Sequence, residues 1–127
     1  MKSNRFIKIY YSVLDMELTS MQLLVYSTLL SMRKKEHYTV ASASAISKRC
    51  GCHPNSVAKA ISALENVGLI QKLNRYKDGK YIANLYKLAA MDAGSYVKVD
   101  YYILSSKLLP GSFAAYLYIL RRANTTP

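Results

Sequence analysis

Ala45-Ile46-Ser47-Lys48-Arg49-Cys50-Gly51-Cys52-His53-Pro54-Asn55-Ser56-Val57-Ala58-Lys59-Ala60-Ile61-Ser62-Ala63-Leu64-Glu65-Asn66-Val67-Gly68-Leu69-Ile70 is the stretch on which the reading of this chain turns. Ser42 begins a short alanine-rich helix that runs to about Arg49, and Gly51 interrupts it. Pro54 then reopens a helix at its first turn, where the missing amide proton costs nothing and the fixed φ is already suitable. That second helix extends to about Val67, with Val57, Ile61 and Leu64 as its inward stripe and Ala60 alongside. Gly68 is the natural left-handed stop. Opposite the stripe lie Asn55, Lys59, Ser62 and Asn66, at i, i+4, i+7 and i+11.

Downstream, Leu69-Ile70-Gln71-Lys72-Leu73 and Tyr81-Ile82-Ala83-Asn84-Leu85-Tyr86 read as strands. The intervening Asn74-Arg75-Tyr76-Lys77-Asp78-Gly79-Lys80 contains the Asp-Gly pair that favours a hairpin turn. Two short helices about a glycine turn form a helix-turn-helix pattern, and a hairpin with a basic tip directly after them is a wing. Upstream, Phe6-Ile7-Lys8-Ile9-Tyr10-Tyr11 has the composition of a short strand. Thr19 or Ser20 caps a helix reaching about Arg33, whose apolar residues Leu23, Leu24, Val25, Tyr26, Leu29, Leu30 and Met32 cover more than one face. Such a helix is buried on two sides. Arg33 to His37 is a polar link, and Tyr38-Thr39-Val40 is a second short strand.

With these residues in place, the stretch from Ala45 to Ile70 resembles the helix-turn-helix and wing entrance of bacterial winged-helix DNA-binding proteins. Together with the Phe6-to-Arg33 strand and helix it is similar to the N-terminal domains of plasmid and phage replication proteins of Gram-positive bacteria. The resemblance implies a protein that binds double-stranded DNA, and the lack of a transmembrane or signal segment in the sequence gives the expectation that it is cytoplasmic. One departure stands out: His53 occupies the position where such proteins commonly have the Ser or Thr that caps the recognition helix. The expected fold class is mainly α with a small β-hairpin wing, a winged helix-turn-helix followed by a partial strand-helix repeat.

That repeat emerges when residues 6–33 are set against 96–123 at an offset of 90 without gaps. Lys8 then meets Lys98, Tyr11 meets Tyr101, Leu14 meets Leu104, Leu18 meets Leu108, Tyr26 meets Tyr116 and Leu30 meets Leu120. Ile7 with Val97, Ile9 with Val99, Val13 with Ile103 and Leu29 with Ile119 are conservative pairs in the same register. The expected organisation is a DNA-binding domain over 1–88, a linker over 89–95 and a strand-helix segment over 96–127. The last is either the start of a second winged-helix unit, cut short at Asn124-Thr125-Thr126-Pro127, or an element that packs onto the first domain or across a homodimer.

Charge supports a polyanionic partner. The chain has 127 residues, and 18 Lys and Arg against seven Asp and Glu give a net +11. The excess is concentrated between Arg33 and Lys87, which hold eleven basic and three acidic residues. The longest uncharged stretch, Leu18 to Met32, has fifteen residues, short of the roughly 20 needed to span a bilayer. The N-terminal residues lack the apolar run of a signal peptide. Cys50 and Cys52 are too close in sequence to staple a fold and suit a reducing compartment. With His53 and His37 they also lack the spacings of zinc motifs, so no metal is expected. Seven scattered carboxylates, two histidines and no nucleophile or phosphate-loop motif leave no catalytic site and no cofactor to assign.

The residues expected to read bases are Asn55, Ser56, Lys59 and Ser62, since Asn can bond adenine bidentately and Lys can reach guanine N7 and O6. Those expected on the DNA backbone are Ser42, Ser44, Lys48 and Arg49 beside the first helix, and Arg75, Lys77 and Lys80 on the wing. Three functions compete: initiation or organisation of replication on a plasmid or phage-like element, transcription regulation by a dimer on an inverted repeat, and a protein-interaction winged helix whose charge does not meet DNA. No small-molecule ligand is evident.

Overall fold

In the computed structural model, which describes residues 5–34, 37–91 and 94–125, one helix is wrapped by the rest of the chain. This is α2 (Ser20–Ser31), in which every residue from Leu23 to Ser31 is buried. Its start is held by a capping box: the Gln22 amide donates to Thr19 Oγ1 at 3.2 Å, and the Thr19 amide donates to Gln22 Oε1 at 3.1 Å. The expectation of a helix buried on two sides holds for a definite reason. α3 (Ala43–Cys50) and α4 (Pro54–Asn66) pack on it from the middle of the chain, and α6 (Pro110–Thr125) packs on it from the end. Burial raises the Tyr26 phenol to about 12, with Arg33 pulling it down and Tyr10 pushing it up.

Two small antiparallel sheets flank the helices. In the first, β1 (Phe6–Tyr10) pairs with β5 (Tyr96–Asp100) alone, in the register Phe6↔Asp100, Ile7↔Val99, Lys8↔Lys98, Ile9↔Val97, Tyr10↔Tyr96. Ile7, Ile9, Val97 and Val99 point into the core, and Lys8 and Lys98 point out. In the second, the order is β2-β4-β3, from β2 (Tyr38–Ala41), β4 (Lys80–Leu88) and β3 (Ile70–Lys77). The buried Thr39 hydroxyl donates to the Leu29 carbonyl at 2.8 Å and ties this sheet to α2.

Three local features differ from the sequence expectation. Tyr11 leaves the strand and opens α1 (Tyr11–Leu14), as Tyr101 opens α5 (Tyr101–Ser105). One helical turn sends both Val13 and Leu14 into the core, whereas a continuing strand would point one of them outward. The hairpin strands are also longer than expected. Asp78 and Gly79, at φ 54° and 78°, form the whole turn, and two left-handed residues match the strand twist so that pairing persists up to them. Arg75, Lys77 and Lys80 therefore stand on paired strands, with a bulge between Arg75 and Tyr76, and not in an open loop. Finally, the helix expected to end near Arg49 includes Cys50. The expected link at 33–37 and linker at 89–95 lie partly outside the described residues, as does the chain end beyond 125. No helix of the described residues is long and apolar enough to cross a membrane.

Candidate nucleic-acid interface

The turn between α3 and α4 is built from three consecutive residues, Gly51, Cys52 and His53, and one serine of α3. Gly51 takes φ 72°, the left-handed conformation that lets the chain leave α3. Its amide and that of Cys52 both donate to the Ser47 carbonyl, at 2.9 and 3.1 Å. The largely buried Ser47 hydroxyl donates in turn to the Cys52 carbonyl, so one residue closes the loop, accepting with its main-chain carbonyl and donating with its side chain. Cys50 is buried in this turn, and burial together with the neighbouring Cys52 thiol pushes its own thiol up to about 12. It is a packed, protonated residue, as a small buried side chain in the turn would be.

His53 resolves the departure noted in the sequence. Its Nδ1 accepts a hydrogen bond from the Asn55 amide at 3.0 Å, so an imidazole does the capping that a hydroxyl commonly does. Pro54 follows at the first helical position. From there Val57, Ala60, Ile61 and Leu64 are buried against the core, which turns Asn55, Lys59 and Ser62 outward and leaves Ser56 half-buried. Asn66, at the far end, is exposed as well.

Ser56 and Lys59 line an open cleft of about 260 Å³ together with Thr19, Met21, Gln22 and Ala60. The start of α2 thus forms one wall beside the outward face of α4, a neighbour that sequence reasoning did not include. The Thr19 and Gln22 capping-box spacing was the available signal, but it reports a helix start and says nothing of what lies beside it.

The α3 candidates divide. Ser42 caps the helix by accepting from the Ala45 amide at 3.0 Å, and Ser44 is exposed beside it. Lys48 and Arg49 are exposed in the last turn, about 9 Å away along the axis at 1.5 Å per residue. The two groups do not close on a single phosphate. On the hairpin, Arg75, Lys77 and Lys80 are all exposed, and Lys77 is the direct register partner of Lys80. Like charges placed opposite each other repel and are relieved by an anion. The hairpin is anchored to α4 where the two meet, because Glu65 accepts from the Lys72 amide at 3.0 Å. Among the described residues none of Lys48, Arg49, Lys59, Arg75, Lys77 and Lys80 is in an ion pair.

Comparison with known families is consistent with this geometry. Residues 16–70 match the model of a family described as a helix-turn-helix domain. That span runs from the turn before α2 to the first residue of β3. This part of the chain is therefore similar to helix-turn-helix domains, a class whose usual partner is DNA. No curated protein and no solved structure matches the chain.

Proposed function

We propose that the protein binds double-stranded DNA as a winged helix-turn-helix, with α4 in the major groove and the β3–β4 hairpin as a wing along the flanking backbone. The observation that carries this reading is the split of α4: one side is fully packed and the other presents Asn55, Lys59 and Ser62, with unpaired cations on the helix before it and the hairpin after it. Bases are read by Asn55, Ser56, Lys59 and Ser62, and phosphates are held by the α3 and hairpin cations. Residues 96–123 are a second copy of the strand-helix unit at 6–33. The resemblance to replication proteins of bacterial mobile elements favours a role in initiating or organising replication.

Selection of bound duplexes from a random pool at moderate salt tests the reading. Enrichment of a defined sequence, with direct repeats among the selected sites, is the expected result. An inverted repeat would point instead to a dimeric transcription regulator, and absence of any duplex binding would overturn the DNA assignment.

A further inference from the structure

The β1–β5 pair is built about a two-fold axis. Under the offset of 90, Lys98 is the counterpart of Lys8, and these two residues face each other at the centre of the ladder. Ile7 pairs with Val99, the counterpart of Ile9, and Ile9 pairs with Val97, the counterpart of Ile7. The surroundings obey the same exchange. Lys8 Nζ lies 4.9 Å from the Tyr96 ring centre, and Lys98 Nζ lies 4.9 Å from that of Phe6. The Tyr11 amide donates to the Ser95 carbonyl at 2.9 Å, and the Tyr101 amide donates to the Arg5 carbonyl at 3.1 Å. Glu17 and Lys107, also counterparts, both take left-handed backbone, at φ 59° and 55°. The relation is that of two identical surfaces meeting, the arrangement of a symmetric dimer.

A second copy of residues 6–31 could occupy the place of 96–121 only if there were room for the helices that follow it. There is. Leu29 is 0 % exposed because α2 is covered on every side, whereas its counterpart Ile119 on α6 is 66 % exposed. The open side of α6 is where a second copy would carry its own α3 and α4.

We infer that β1 and α2 form a self-association surface for a second copy of this chain, and that the chain's own β5 and α6 occupy it. Covalent attachment favours the internal partner, so the protein is a monomer until that segment is released. The inference stands apart from DNA binding, since it concerns which partner pairs with β1.

Its test is the oligomeric state of the full chain by sedimentation. The unaltered protein is expected to be monomeric, and a dimer would overturn the inference. Val97→Asp/Val99→Asp, which puts charge on the inward face of β5, is expected to give a concentration-dependent dimer with α4 still protected from amide exchange. A folded monomer would count against it. Mixing this variant with the same variant carrying Lys8→Glu supplies a sharper readout. Pairing of β1 with β1 then sets a carboxylate opposite the Lys8 ammonium at the axis, so mixed dimers should exceed the half expected from random pairing. Random mixing would overturn the proposed register. Should the double variant not fold, Phe113→Ala loosens α6 without touching either strand and is read the same way. Unfolding of both would show that β1 and α2 cannot stand without their internal partner, and would also sink the proposal.

Discussion

On the proposed interface, Lys59 and Arg75 stand for two kinds of DNA contact. Lys59 projects from the outward face of α4, and Lys59→Ala is expected to lose about 1 to 3 kcal/mol of binding and to relax preference at one base position. Arg75 stands on the exposed hairpin, and Arg75→Ala should weaken all duplexes nearly equally and lower the salt slope by about one. Titrations of both variants at several salt concentrations distinguish the roles, and an unchanged slope for Arg75→Ala would remove the wing from the interface. Cys50 and Tyr26 predict an alkaline limit. Their folded values, about 12 each, lie above ordinary values of 9.0 and 10.0. A raised folded value contributes stability that is present below the ordinary value and lost as pH rises toward the folded one. Urea midpoints should therefore fall from about pH 9, and in Cys50→Ala the fall should begin nearer the phenol range. A midpoint flat through pH 11 would contradict this. The phenol could be read from sequence as buried; its neighbours could not.

Helix α4 was the most legible element, because everything that defines it lies within its own residues. Its proline start, its apolar stripe and its glycine stop are local, and the structure keeps all three. Its cap was the open point, since an imidazole is an uncommon acceptor there. Because His53 Nδ1 takes the Asn55 amide, His53→Ala is expected to cost about 1 kcal/mol of stability, and His53→Asp to restore it, in thermal or urea unfolding. Equal stability of all three would mean that Pro54 and packing alone start the helix. The hairpin was legible in kind but not in length. Asp78-Gly79 marks the turn, yet how far pairing extends beside it depends on the ladder between β3 and β4, with its bulge after Arg75.

The molecule as a whole is joined through α2, which carries the helix-turn-helix on one side and the last strand-helix unit on the other. Phe113 is 1 % exposed and anchors α6 in the shared core. Phe113→Ala is expected to cost about 3 to 5 kcal/mol. Because both halves share α2, this loss should shift one transition monitored in both halves, by amide exchange at α4 and at α6. Two separate transitions would show that the two halves are independent folding units.

From its sequence alone, the chain's helix-turn-helix and hairpin, its basic middle section and the internal likeness of 6–33 to 96–123 were determined. Each rests on signals spanning a few turns of chain: caps, glycines, periodic apolar positions and charge. The tertiary structure decided how the two like segments meet, that the imidazole of His53 serves as a cap, and that the start of α2 walls the cleft beside Lys59. Those outcomes depend on which strand edge and which helix face remain free once the rest of the chain has packed. β1 and β5 are some ninety residues apart, and like-charged Lys8 and Lys98 meet at their centre. Local preference alone would not select that pairing, and the burial of Ile7, Ile9, Val97 and Val99 outweighs the repulsion.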